Sequence, residues 1–261
     1  MLFLLISDID KNAKSWEKWI SPTGKVLTSD FVKELKKHGD VLIPQPNWVN
    51  FRKYDKLDNN IGYINNVFFS IKDLEFETYV KWIKSQIPSK YKKSNKIVII
   101  GLEQGCHHAK YLANSIKQWC KKLYILGDRI LSKKNYDKLW KSKDYKNRLK
   151  KTYQKIWKDY LIENTNDIVI KRMIDERDIT GLNNLVKGKT RSQYNKIKKL
   201  EVPTVIYSYM STQEEKLKLN EDLISKSKVD VLYYYVIDDS EYLIFSKYMP
   251  DILNSILKTD G

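Results

Sequence analysis

A carboxylate stands between two glycines at the end of an apolar run, in the sequence Gly101-Leu-Glu103-Gln-Gly105. Because glycine has no side chain to obstruct the approach of two elements, this spacing favours a tight turn from a strand into a helix. Such a turn presents its central side chain at the helix N-terminus, where a negative charge is stabilised by about 0.3–1 kcal/mol. Glu103 is therefore the first candidate for a catalytic residue.

The residues that follow, Cys106, His107 and His108, belong to types that bind metal ions. Adjacent histidines on a helix point about 100° apart, and Glu103 with His107 is a single i,i+4 pair that lacks a third ligand. We therefore predict no metal site and no cofactor, and we expect these side chains to pack inside the protein.

Short apolar runs alternate with amphipathic segments on both sides of this turn. The predicted strands are 2–6, 40–43, 67–71, 96–100, 123–126, 202–209 and 230–237, and the predicted helices are 30–39, 73–87, 106–121, 214–225 and 250–257. Runs that are apolar on both faces indicate parallel strands buried between helices. Residues 131–200 interrupt this alternation with a pattern that is helical throughout, which indicates an insertion.

The strand, the turn at Gly101-x-Glu103-x-Gly105 and the following helix closely resemble the nucleophile elbow of the α/β-hydrolase family, whose pattern is Gly-x-Ser-x-Gly. Later segments resemble further strands of that family, namely Leu123-Tyr-Ile-Leu-Gly-Asp-Arg129, Val202-Pro-Thr-Val-Ile-Tyr207 and 230–257. The resemblance implies an α/β fold, a doubly wound and mostly parallel sheet of α/β-hydrolase type. Its core would be residues 1–130 and 201–261, with 131–200 as a helical cap insertion.

The catalytic groups of that family are missing from the positions that the resemblance assigns to them. The family needs an activated hydroxyl, a histidine base and an acid that orients the base. Here Glu103 stands at the nucleophile, residues 208–213 offer no acid, and Glu241 is nearest to the place of the histidine. The last 150 residues contain no histidine, since the three of the chain are His38, His107 and His108.

The sequence therefore predicts a catalytically degenerate hydrolase-fold protein that acts by binding or as a structural protein. One alternative stays open. Glu103 and Glu241 would form a carboxylate pair in the residual pocket, able to do acid/base work or to hold a cation.

The net charge of +16 arises from 48 basic and 32 acidic residues, and it is unevenly distributed. Residues 131–200 contain 20 basic and 8 acidic side chains, whereas 201–261 contain 6 and 11. Codon bias of an AT-rich genome acts along the whole chain, so it does not explain this contrast. The basic excess favours an anionic partner, although a basic helix surface is also ordinary solvation.

The densest basic stretch, 133–158, also contains tyrosine and tryptophan. Lysines neutralise phosphates and aromatic rings stack on unpaired bases, so we predict non-specific association with DNA or RNA. A merely solvated cap, another acidic partner and a membrane surface are the alternatives. The candidate nucleic-acid-binding residues are Lys133, Lys134, Lys141, Lys143, Lys146, Arg148, Lys150, Lys151, Lys155 and Lys158.

The two cysteines, Cys106 and Cys120, are too few for a disulfide framework and fit a reducing compartment. No apolar run is long enough to span a bilayer, and the N-terminal run is too short for a signal peptide. We therefore expect an intracellular, cytoplasmic protein.

The composition and the incomplete hydrolase pattern also resemble proteins of large AT-rich DNA viruses, which implies possible virion association. The sequence indicates no oligomeric state.

Overall fold

The computed structural model describes residues 1–7, 16–20, 26–44, 76–93, 95–103, 105–128, 143, 197, 199–209, 221–236 and 243–258. The strand predicted at 67–71, the first part of the helix predicted at 214–225 and most of the predicted cap lie outside these residues. The division into a core and a cap at 131–200 therefore stays a prediction.

The chain forms two compact units. The first comprises Met1–Gln45, Val80–Ser132 and Ser192–Gly261, and the second comprises Pro46–Tyr79 and Lys133–Arg191. Nearly all described residues belong to the first unit, which contains the sheet and the turn at Glu103.

Within the described residues the main sheet has six strands, all parallel to their neighbours. These strands are β1 (Leu2–Ile6), β4 (Asp40–Leu42), β5 (Ile97–Leu102), β6 (Cys120–Leu126), β7 (Thr204–Tyr209) and β8 (Val231–Val236). Their spatial order is β4-β1-β5-β6-β7-β8. The chain runs outward from β1 to β4 and then in the opposite direction from β5 to β8, so the sheet is doubly wound. The predicted fold class is confirmed.

Helices cover both faces of this sheet. They are α1 (Phe31–Lys36), α2 (Phe76–Gln86), α3 (Gly105–Ser115) and α4 (Met249–Leu257), and residues 221–225 are also helical. One hydrophobic cluster joins alternate side chains of the central strands to the apolar faces of α1 and α4. α3 packs on β5, because the side chain of Ala109 lies directly against Gly101. Every side chain of β1 and β5 is buried, which agrees with the apolar runs in the sequence.

The helix predicted at 106–121 is wrong at its C-terminal end. α3 ends at Ser115, residues 116–119 form a turn, and β6 already begins at Cys120. The carbonyl oxygen of Trp119 accepts hydrogen bonds from the N–H groups of Lys96 and Ile97, both at 3.0 Å. The start of β5 is thus hydrogen-bonded to the turn that precedes β6.

A small antiparallel hairpin was not predicted from the sequence. It consists of β2 (Lys18–Ile20) and β3 (Val26–Thr28), each only three residues long. Trp16, just before β2, is fully buried and stacks on Phe31 with ring centroids 6.0 Å apart.

Among the described residues, no helix is long and apolar enough to cross a membrane.

The close contact between α3 and β1 generates the first prediction. A Cβ atom added to Gly105 would lie 2.3 Å from the carbonyl oxygen of Ile6 and 2.6 Å from the carbonyl carbon of Ser7. Both are backbone atoms, so the strand or the helix would have to move. We expect Gly105→Ala to lower the free energy of unfolding by about 1–3 kcal/mol in urea denaturation.

The control is Lys81→Ala, an exposed position on α2, which should change the same quantity by less than about 0.5 kcal/mol. If Gly105→Ala were as stable as this control, the tight packing of α3 against β1 would be contradicted.

Candidate functional site

The turn between β5 and α3 has the conformation of an elbow. Glu103 has a φ of 53°, in the left-handed region that residues other than glycine rarely adopt. Its N–H donates to the carbonyl oxygen of Leu126 at 2.8 Å, and its own carbonyl oxygen accepts from the N–H of Cys106 at 3.1 Å. These two bonds hold the strained residue between strand and helix, and the tight turn expected from the sequence is confirmed.

The two glycines of the motif have the predicted steric role. A Cβ atom added to Gly101 would lie 2.7 Å from the Cβ of Ala109 and 2.8 Å from the Cα of Cys106. Gly105 meets the end of β1 in the same way. A side chain at either position would push α3 away from the sheet, so the spacing Gly-x-x-x-Gly reflects close packing on both sides of the turn.

The sequence predicts that the turn presents the side chain of Glu103 at the helix N-terminus, but in the structure this side chain is buried. Only 6 % of the residue is exposed, and Oε1 accepts a hydrogen bond of 2.7 Å from the hydroxyl of Tyr209, at the end of β7. Gly127, with a φ of 71°, makes room for it, since a Cβ atom there would lie 2.7 Å from Oε1. The long side chain therefore lies across the ends of β6 and β7, a position that a serine would be too short to reach.

A second buried carboxylate lies beside this turn. Asp128 follows β6, and its Oδ2 accepts a hydrogen bond from Nζ of Lys110 on α3. Both side chains are fully buried. Nε2 of His107, also on α3, is 3.8 Å from Oδ1 of Asp128. An ion pair thus joins the helix of the elbow to the end of the neighbouring strand.

Three residues of this buried cluster were missed by sequence reasoning, namely Lys110, Asp128 and Tyr209. One signal was available. Asp128 and Tyr209 each come at the carboxyl end of a predicted parallel strand, and such ends meet at one edge of the sheet. The pairing of Lys110 with Asp128 had no comparable signal, because it depends on how α3 is rotated on the sheet.

The thiol and imidazole groups next to the elbow are buried. Burial raises the pKa of the Cys106 thiol well above its usual range, and the negative charge of Asp128 raises it further. Its Sγ donates to the carbonyl oxygen of Leu126 at 3.5 Å. The thiol therefore stays protonated at neutral pH and is not a nucleophile. His107 and His108 are each 1 % exposed, and we find no group of three metal-ligating side chains within the described residues.

The remaining predicted site residues are mostly outside the described part of the chain. Glu241 is one of them, so its pairing with Glu103 stays a prediction. Of the ten basic residues predicted to bind nucleic acid, only Lys143 is described, and it is exposed.

Comparison with known proteins identifies the fold. No family model and no curated protein sequence matches this chain. A crystal structure of an α/β-hydrolase enzyme from the sediment metagenome of the Mar Chica lagoon in Morocco matches with a TM-score of 0.55 and 13 % identity, over 100 % of this chain and 91 % of that one. A hydrolase from Oleispira antarctica matches with a TM-score of 0.53 and 13 % identity, over 98 % and 90 %.

The type II thioesterase BorB from the borrelidin biosynthetic cluster matches with a TM-score of 0.51 and 12 % identity, over 98 % of this chain and 89 % of that one. The chain thus has the α/β-hydrolase fold, as the resemblance of the elbow implied. At such low identities the likeness concerns the fold alone.

The buried ion pair generates the second prediction. Removing one partner leaves an uncompensated charge in the core, so Lys110→Met alone and Asp128→Asn alone should each lower the free energy of unfolding by about 3–5 kcal/mol. The double variant has neither charge, so it should be less destabilised than the sum of the two single variants. The coupling energy from denaturant unfolding of all four proteins measures this interaction.

The exposed pair of Lys37 and Glu34 on α1, with a nitrogen–oxygen distance of 2.7 Å, is the matched control. The same double-mutant cycle at Lys37 and Glu34 should give a coupling energy of about 0–1 kcal/mol. Additive effects at Lys110 and Asp128 would show that the two charges are not coupled in the folded protein.

Proposed function

We propose that this chain is a catalytically degenerate protein of the α/β-hydrolase fold, which acts by binding or as a structural protein. The observation that carries the proposal is the state of Glu103 at the elbow. A carboxylate there cannot be activated by loss of a proton, and this one is buried and hydrogen-bonded to Tyr209. In the active proteins of this fold the elbow carries a nucleophile that a base activates.

The groups around Glu103 support the same proposal. A serine-type mechanism needs a histidine that reaches both the nucleophile and an acid. Asp128 is an acid close to the elbow, but its carboxylate is bound to Lys110, and the last 150 residues contain no histidine. The structural neighbours described as hydrolases show that the fold supports hydrolysis, so the difference lies in these side chains.

The test is an assay with short p-nitrophenyl esters together with a fluorophosphonate probe. We expect no turnover above a blank without protein and no covalent labelling of the folded chain. The variant Glu103→Ser restores only the hydroxyl and should also remain inactive, because the last 150 residues contain no histidine and His107, next to the elbow, is buried on α3 beside Asp128. Stoichiometric labelling of the wild-type chain would overturn the proposal.

A hydrolase of unusual mechanism, using Glu103 and Glu241, is the competing candidate. The observation in its favour is the buried carboxylate at the end of β5, the edge where ligands bind in open α/β sheets. Glu103→Gln separates the two proposals. It should abolish any turnover that the wild-type chain shows, while a binding protein would have no turnover to lose.

We further propose that the basic segment 131–200 associates with nucleic acid without sequence preference. Its excess of 20 basic over 8 acidic residues supports this proposal, and lysine outnumbers arginine in the chain, which disfavours precise reading of bases.

The two cysteines are free and buried, in keeping with a reducing compartment such as the cytoplasm. The proposed kinship with viral proteins is supported by composition alone.

Binding to a fluorescent DNA duplex tests this role. Affinity should fall steeply between about 50 and 200 mM salt, because each phosphate contact releases counterions. Replacing Lys146, Lys150 and Lys151 by glutamate should weaken binding at least tenfold. Unchanged retention on DNA would rule out a role for these residues.

A further inference from the structure

The core of the protein has a basic surface of its own. From Val80 to Gly127 the sequence contains ten lysines and a single carboxylate, Glu103. Glu103 and Lys110 are buried at the elbow. The other nine lysines are exposed or half-buried, and they are Lys81, Lys84, Lys90, Lys92, Lys93, Lys96, Lys117, Lys121 and Lys122.

The parallel topology brings many of these lysines to one edge of the sheet, opposite to the elbow. Because neighbouring strands run the same way, the loops that enter them all lie at their amino ends. We give the name lysine edge to six exposed lysines at the entries to β5, β6 and β7, and they are Lys90, Lys92, Lys93, Lys96, Lys117 and Lys199.

Hydrogen bonds between the entry loops make this edge continuous. The N–H of Leu2 donates to the carbonyl oxygen of Lys96 at 2.8 Å, and the N–H of Lys96 donates to that of Trp119 at 3.0 Å. The entries to β1, β5 and β6 are thereby fixed beside one another, so the lysines they carry form one surface.

Two carboxylates neutralise part of this surface. Asp40 pairs with Lys90 at 2.8 Å, and Glu201 pairs with Lys117 at 2.6 Å and with Lys199 at 3.1 Å. For Lys92 and Lys93 the described residues contain no ion-pair partner, and the same holds for Lys96. The lysine edge therefore keeps a net positive charge of several units.

Stabilisation of helix C-termini does not explain all of these positions. The helices end at this same edge, and a lysine in a last turn interacts favourably with the helix dipole. Lys84 of α2 is such a residue. Lys92, Lys93 and Lys96, however, lie beyond the last turn of α2, in the loop between the short helical turn Ser89–Tyr91 and β5.

We propose that the lysine edge binds the phosphate backbone of duplex nucleic acid. Strands about 4.8 Å apart spread the entries to β4, β1, β5, β6 and β7 over about 20 Å. At 3.4 Å per step, this length corresponds to about six base pairs of one strand. Lysine is a flexible point charge that suits phosphates rather than base edges, so the contact is non-specific. Apart from Lys199, which is also paired with Glu201, the inference does not depend on the lysines of 131–200.

Fluorescence anisotropy with a 20-base-pair DNA duplex tests the proposal on the full chain. The test variant replaces Lys92, Lys93 and Lys96 by glutamine. We expect binding at about 100 mM salt to weaken at least tenfold, and the slope of log affinity against log salt to become shallower by about 2–3, since each lost phosphate contact removes about 0.9.

The matched control replaces three other exposed lysines, Lys18, Lys33 and Lys247, by glutamine. Lys18 lies in β2, Lys33 on α1 and Lys247 just before α4, so none of them is at the entry to a strand of the main sheet. The control makes the same change in net charge. We expect less than a twofold change in affinity from this control. Equal losses in the two triple variants, or affinity of the test variant within twofold of wild type, would overturn the proposal.

Two further measurements separate this inference from the one about the segment 131–200. Glutamine at Lys146, Lys150 and Lys151 tests that segment alone, so loss confined to this variant rejects the lysine edge and retains the segment. Polyglutamate at equal total charge is the competitor. If it displaces the protein as well as unlabelled duplex does, the surface recognises acidic polymers in general and the assignment to nucleic acid is wrong.

Discussion

The arrangement at the carboxyl edge of the sheet depends on the compensation of two buried carboxylates. Glu103 and Asp128 end neighbouring strands, and both are almost completely removed from water. A buried ionised group costs several kcal/mol unless it is paired or hydrogen-bonded. Oε1 of Glu103 accepts a hydrogen bond from Tyr209, and Oδ2 of Asp128 accepts one from Lys110. Because these partners come from β7 and α3, the electrostatics of the site also determine how the elbow, the strand ends and the helix fit together.

This arrangement bears on the proposal that the site does not carry out turnover. A catalytic group must change its protonation or its bonding during the reaction, so it needs a partner that can exchange a proton with it. Here Asp128 is paired with Lys110, and Glu103 is hydrogen-bonded to Tyr209. The left-handed backbone at Glu103 is held by the hydrogen bonds of its N–H to Leu126 and of its carbonyl oxygen to Cys106.

The sequence predicted those parts of the structure that depend on local pattern. Fully apolar runs predicted β1 and β5, and the spacing of Gly101 and Gly105 predicted the elbow, because both follow from burial and sterics along a few residues. The hairpin of β2 and β3 was missed, since two three-residue strands contain too little alternation to be recognised. The contact of Lys110 with Asp128 was missed because it depends on the rotation of a helix over a strand.

The charged side chains are buried at one edge of the sheet and exposed at the other, and this contrast bears on function. At the carboxyl edge, Glu103, Asp128 and Lys110 are buried and therefore inaccessible to a partner. Asp128 is paired with Lys110, and Glu103 is hydrogen-bonded to Tyr209. At the amino edge, exposed lysines outnumber the carboxylates Asp40 and Glu201, and their field extends into solvent over about 10 Å at 0.1 M salt. A partner that is attracted to the core by charge would therefore meet the edge that lies opposite to the elbow. Binding at the amino edge would therefore place no demand on the residues around Glu103.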